Sequence, residues 1–300
     1  MAHAALDPDP DAPFLDPEGV AYRVAAAALP IVSMLRALWC QAMHPHALAG
    51  VVQYSDFGED PLGRFDRTGA YVITTVYGLR KDAEAAGKLV DGLHKRVRGF
   101  DPVTRQRYSA QDVESLLWVH CTQVHTMITV HHHYVERLTD AEFAQFYREM
   151  TPVAGLLGIP ADRVPQTRAE MRAYLESQRG RLCVSESAMN VVRFVLEGPP
   201  EGPRWIAHVT RLFAQGAIPL APRWMAELCG VHWSPARRTA TYLGFAALGR
   251  VVNTVNPNSK RIAQLVRQAR ETPFVETWKR LREKPPTPNV WARVGSAFGY

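Results

Sequence analysis

Tyr71-Val72-Ile73-Thr74-Thr75-Val76-Tyr77 decides the fold class, because its β-branched and aromatic residues read as a strand on propensity alone. The residues before it reverse that reading. Asp60-Pro61 is a helix start: the aspartate can cap free N–H groups, and proline is tolerated at the first helical position, where an N–H would go unused. Gly78 supplies the stop. With a capped start and helical neighbours on both sides, residues 61–77 read as one helix.

The neighbours follow the same period. Residues 35–52 are apolar and broken at His44-Pro45, which predicts a helix, an interruption and a second helical piece. Residues 80–98 carry Leu89, Val90, Leu93 and Val97 on one stripe, with His94 at its border and Gly99 as the stop. Ser109 opens a long helix through Leu138, whose stripe holds Val113, Leu117, His120, Val124, Met127, Ile128 and His131. Further helices are expected at 140–157, 168–180, 185–196, 203–214, 222–229, 235–253, 259–271 and 272–283, separated by Gly/Pro-rich joints. No alternation of strands with helices implies a parallel sheet, so the class is all-α. Residues 1–18, rich in aspartate and proline, read as a flexible N-terminal arm, and 19–300 as a single domain.

With 300 residues, 47% of them apolar, the chain can bury a large core. A net charge of +6 raises the question of nucleic acid, but the basic residues form no block and no zinc-finger or RNP motif is present. Cys40, Cys121, Cys183 and Cys229 are widely spaced and read as free thiols of a reducing compartment. The N-terminus has no basic segment leading into an apolar one, so a cytoplasmic location is expected. The longest apolar stretch, residues 24–43, is interrupted by Pro30 and Arg36, which argues against stable membrane insertion.

Two polar clusters carry the chemistry, Arg64-Phe65-Asp66-Arg67-Thr68 and His94-Lys95-Arg96-Val97-Arg98. If helical, Arg64 and Thr68 share one face and His94 and Arg98 another. A histidine with an arginine one turn on suits a metal that carries an anionic group, as haem does through its propionates. The same residues also fit a basic, solvent-facing turn. Arginine and threonine can polarise oxygen on a haem's distal side, and they also fit a charged first helical turn paired with Asp60 and Asp66. His120, on a buried stripe, needs a partner, which a backbone carbonyl or a site would supply. His44 and His46 stand at a proline break that can aim a side chain into a pocket. His131-His132-His133 diverge around a helix and read as surface apart from His131. The chain has no HExxH, GxSxG or Walker-type loop, which leaves hydrolase readings without support.

The stretches Gln41-Ala42-Met43-His44-Pro45, Gly50-Val51, Ser55-Asp56-Phe57, Asp60-Pro61-Leu62-Gly63-Arg64, Arg67-Thr68, Leu93-His94-Lys95-Arg96-Val97-Arg98-Gly99 and Trp118-Val119-His120 resemble the rubber oxygenase, or latex clearing protein, family, which includes fungal oxygenases acting on prenylated compounds. The resemblance runs from about Leu35 to Tyr134 and more faintly over Leu220–Trp233. It implies a globin-like helical core with additional helices holding haem b, with His94 as the iron ligand and Arg98 beside it. Arg64 and Thr68 would match distal-pocket residues, and Arg67 would stand where the family keeps a lysine. Guanidinium is a poor iron ligand, so a lysine-closed resting state would not form here. The family's distal glutamate has no counterpart at a matching position before Arg64, which leaves two equal readings, His44 or Glu59 as the substitute or an altered reaction. Together these readings predict a haem b-dependent oxygenase using O2 on a small apolar substrate, prenyl-like or otherwise unsaturated. Arg64, Arg67, Thr68 and His44 would be its catalytic residues, and His94, Arg98 and His120 would bind the cofactor. The alternative is a haem-binding sensor or carrier without turnover. Oligomeric state and any role of Arg223 stay open.

Overall fold

A computed structural model describes residues 9–54, 61–198 and 204–282. Among these the chain is helical nearly throughout, with fourteen α-helices and a single two-stranded hairpin. Residues 71–77 are helical, inside α4 (Pro61–Tyr77). Both threonine hydroxyls are satisfied, one within the helix and one from outside it: Thr75 Oγ1 donates to the Tyr71 carbonyl at 2.9 Å, and Thr74 Oγ1 accepts the Phe274 N–H at 2.9 Å. A Cβ on Gly78 would collide with the Thr74 carbonyl oxygen, so only glycine can end this helix here. Asp60, read as the cap, lies outside the described residues, as does Glu59.

The chain begins with α1 (Val20–Ala25), and the break at His44-Pro45 separates α2 (Pro30–Ala42) from α3 (Pro45–Tyr54) as expected. Of the stretch read as an arm, residues 10–14 lie along the turn after α4: Lys81 and Arg80 donate backbone N–H groups to the carbonyls of Pro10 and Ala12, and Phe14 N–H donates to Gly78.

Two expectations are corrected. The helix read as 80–98 stops at His94, giving α5 (Arg80–His94), and Arg98 opens a strand. Strands β1 (Arg98–Asp101) and β2 (Gln106–Ser109) pair antiparallel, with Arg98 opposite Ser109 and Gly99 opposite Tyr108. The cause is a side-chain-built turn: the Asp101 carboxylate accepts the N–H groups of Val103 and Thr104, each at 3.1 Å, and Pro102 cannot donate within a helix. Ser109 therefore ends a strand rather than opening a helix, and α6 (Val113–Val130) starts after Asp112, which accepts the Ser115 N–H at 3.0 Å.

The long helix also ends early. Residues 131–135 form one π-helical turn, and in it His132 is buried like His131 (7% and 0% exposed) rather than at the surface. His132 Nδ1 accepts the Leu138 N–H at 2.9 Å, so the ring stands in for a helical carbonyl. The remaining helices, α7 (Asp140–Gly155), α8 (Arg168–Ser177), α9 (Glu186–Glu197), α10 (Arg204–Ala217), α11 (Arg223–Leu228), α12 (Pro235–Val255), α13 (Asn258–Glu271) and α14 (Phe274–Arg282), fall close to their expected positions.

Helix α2 runs through the core, its Leu35 and Trp39 and the Met43 that follows it fully buried and its faces covered by α6, α9 and α10. Arg36, which interrupts the apolar stretch, is 3% exposed and donates to Thr126 Oγ1 at 2.5 Å and to the Leu220 carbonyl at 3.2 Å, fastening α2 to α6. The four cysteines are free thiols. No helix among the described residues is long and apolar enough to cross a membrane.

Candidate active site

Helices α4 and α5 are joined by the Gly78-Leu79 turn and pack on each other, which brings the first turn of α4 beside the last turn of α5. His94 ends α5 and is half-buried. Burial lowers its pKa, and the Arg64 cation lowers it further against the opposing pull of Asp91, so the imidazole stays neutral. Neither ring nitrogen has a hydrogen-bond partner among the described residues. A neutral imidazole with uncommitted nitrogens is the form that ligates a metal.

Arg64 thus stands within electrostatic reach of His94. Thr68, one turn on from Arg64 and on the same face, is exposed. Arg67 leaves this group: its guanidinium carbon lies 5.7 Å from the Trp278 ring centroid of α14. Phe65, between them, stacks on Phe194 of α9 at 5.8 Å.

Arg98 does not share a helix face with His94, because the chain turns at residues 95–97, where Val97 N–H returns to the His94 carbonyl at 3.0 Å. Its guanidinium nevertheless folds back to the same place, donating to the Lys95 carbonyl at 3.0 Å. A cation there also complements the negative C-terminal end of α5.

The residues that hold this corner were not singled out by the sequence reading. Tyr54 donates its hydroxyl to the Arg98 carbonyl at 2.6 Å, Gln53 donates to the Phe100 carbonyl at 3.1 Å, and Tyr108 donates to Gln53 Oε1 at 2.7 Å. A Cβ on Gly50 would lie 3.3 Å from Val97, so α3 approaches the hairpin closely. The spacing of Gly50, Gln53 and Tyr54, one helix face, was the available signal.

His44 belongs to a different constellation. It is 6% exposed, stacks on Trp118 at 6.1 Å and caps α3, its Nδ1 accepting the Ala47 N–H at 3.3 Å. That bond assigns the proton to Nε2. Burial first, then His46, pushes its pKa to about 4. The charged groups around it are Asp112, Glu114 and Arg181, and with His46 it lines an open cavity of about 970 Å³ that Arg98 also borders. His120 sits alone on α6: burial takes its pKa to about 4, and its Nε2 is sealed from solvent with no partner among the described residues. A backbone carbonyl, one of the two partners expected for it, is therefore not bonded to Nε2. Arg223 is exposed at the start of α11.

Compared with known proteins, residues 22–254 match the family described as ER-bound oxygenase mpaB/B'/Rubber oxygenase, catalytic domain. No curated protein and no solved structure matches the chain. The matched span runs from Tyr22, in the first turn of α1, to Thr254, in the last turn of α12, and contains His44, Arg64, Arg67, Thr68, His94, Arg98 and His120. On that coverage the chain belongs to the mpaB/rubber oxygenase catalytic-domain family, and its activity class is that of an oxygenase.

Proposed function

We propose that the chain is a haem b-dependent oxygenase that uses O2 on a small apolar molecule, prenyl-like or otherwise unsaturated. The observation that carries this reading is His94: a neutral, half-buried imidazole at a helix end, with both nitrogens uncommitted among the described residues and a cation beside it. Such a donor would hold a haem iron. Arg98 and Arg64 would balance the propionate charge, and the orphaned Nε2 of His120 is a buried polar group that a bound cofactor or its ordered water would satisfy. When bound, haem supplies the redox chemistry of oxygen activation.

The protein's own part is binding and orientation. Arg64 and Thr68, on one face of α4, would serve as hydrogen-bond donors on the side of α4 that lies by His94, while α3 and the hairpin hold the turn that carries Arg98. Arg67, seated over Trp278, serves to anchor α4 rather than to close the pocket. His44, with Nδ1 committed to the α3 backbone, offers Nε2–H as a donor instead of a base.

The test is an absorption spectrum of the protein as isolated and after reduction, followed by haem reconstitution. Wild type should show a Soret band, and His94→Ala should lose it while Lys95→Ala keeps it. A wild-type sample without the band, or a His94→Ala protein with full haem content, overturns the reading. Haem-loaded protein that consumes no O2 with prenyl-type substrates would instead be a sensor or carrier.

A further inference from the structure

The longest helix among the described residues, α12, is amphipathic in the wrong direction for a solvent-facing element. Its inner face seats Phe245, Ala246 and Gly249 in the protein. Its outer face carries Leu243, Leu248, Val251 and Val255 at 59%, 38%, 59% and 77% exposure, interleaved with exposed Ala240 and Gly244. At about 100° per residue these six positions lie within an arc of roughly 140°, so they form one stripe. Between residues 239 and 255, Arg250 is the one charged side chain at an exposed position. Helix α10, tied to α12 by the Phe213 and Phe245 rings at 6.4 Å, adds exposed Trp205 and Leu212 at 65% and 58%.

Charge selects the occupant. Across residues 204–270, ten lysines and arginines accompany a single acid, Glu227, although the whole chain carries only +6. A second copy docked on this face would set the exposed Arg211, Arg237 and Arg250 of one copy against those of the other, with no acid on α10 or α12 to pair them. A surface rich in acidic lipid headgroups complements the charge and also takes up exposed aliphatic and tryptophan side chains. The exposed cations Arg211, Arg237, Arg250 and Lys260 lie on these helices or just beyond α12. We propose that the outer face of α12, with the exposed side of α10, is a docking surface for an anionic lipid bilayer, on which the protein sits without spanning it.

The inference is independent of haem and is tested by co-sedimentation of the full chain with phosphatidylcholine vesicles, with and without phosphatidylserine. Wild type should pellet with the phosphatidylserine vesicles, stay in solution with neutral ones, and release as salt is raised. Leu243→Asp/Val251→Asp and Arg250→Glu/Lys260→Glu change exposed side chains with no hydrogen-bond partner among the described residues, so both proteins should melt as wild type does. Each should lose about tenfold or more in partitioning. Equal binding to neutral vesicles, no binding to anionic ones, or wild-type partitioning of the folded variants overturns the proposal. So does a wild-type dimer in sedimentation equilibrium that Val251→Asp splits, since the occupant would then be a second copy.

Discussion

At the level of single residues, the unusual side chains are histidines buried in neutral form. His131 is wholly buried, neither ring nitrogen is hydrogen-bonded, and its pKa is pushed to about 4, mainly by burial and then by Arg23 and Arg261. Glu142 pulls the other way, and Glu136 Oε2 lies 3.6 Å from Nε2, too long for a hydrogen bond. The sign follows from comparing states. The unfolded imidazole, with an ordinary pKa near 6.5, takes up a proton before the folded one does, so stability is full above about pH 6.5 and falls as pH drops toward about 4. His131→Leu removes that cost and two unpaired polar atoms. It should match wild type or exceed it slightly at pH 7.5 and be more stable by roughly 1–2 kcal/mol at pH 5. Urea unfolding at the two pH values measures this; a variant less stable than wild type at pH 5 would show that the ring is needed for packing or for its acidic neighbours. His120 and His125, with pKa values near 4 and 3, add to the same acid sensitivity.

At the level of elements, the hairpin between α5 and α6 governs how His94 and Arg98 are presented. Gln53 joins two of its strands' groups at once, donating to Phe100 and accepting from Tyr108. Gln53→Ala leaves the Phe100 carbonyl and the Tyr108 hydroxyl without that partner, at a cost of about 1–2 kcal/mol. Amide exchange in residues 98–109 should quicken while exchange in α2 and α6 stays at its global rate, because the loss opens the hairpin and not the core. Gly99→Ala should act in the same direction, since its Cβ would come 2.7 Å from Gln53 Oε1. These elements also mark where the sequence stops being readable. Helical neighbours and the Gly78 stop led to α4 against its strand propensity, and His44-Pro45 to the break before α3, because those signals are local. The hairpin escaped because Val97 continues the α5 stripe by spacing alone, while the backbone turns away at residues 95–97 and the strand-to-strand turn that follows is built by a single carboxylate, Asp101. The π turn escaped for a related reason: it depends on His132 replacing a carbonyl for Leu138, a tertiary arrangement with no residue period. In the site, His94 and Arg64 were legible as motif residues, but the divergence of Arg67 toward Trp278 was not, since Trp278 lies far along the chain.

At the level of the whole molecule, both ends of the described chain converge on the α4–α5 pair. Residues 10–14 bond to the turn between the two helices, and Lys81 Nζ pairs with Asp11 at 2.6 Å. From the other end, α13 and α14 cover α4, with Phe274 2% exposed against Tyr71 and its N–H on Thr74 Oγ1. The family match stops at residue 254, so this C-terminal cover lies beyond the matched span, and with it the Trp278 that holds Arg67. A helix pair whose facing ends carry Arg64 and His94 is thereby clamped along α4, from its turn-bearing end, where Phe274 meets Tyr71 and Thr74, to Arg67 one turn from the site. If the clamp sets the packing of α4 on α5, damage there should reach the site without touching it. Phe274→Ala removes a buried ring at the clamp and should cost about 3–5 kcal/mol of stability. Under conditions where the variant is still folded, and taking the proposed haem site at His94, reconstituted variant should also release haem faster than wild type, although Phe274 makes no contact with His94 among those described. A distant control of matched cost, Phe146→Ala in α7, should lower the unfolding midpoint similarly and leave haem release unchanged. Equal haem release from both variants would mean that the C-terminal helices stabilise the fold generally and do not set the geometry of the α4–α5 pair.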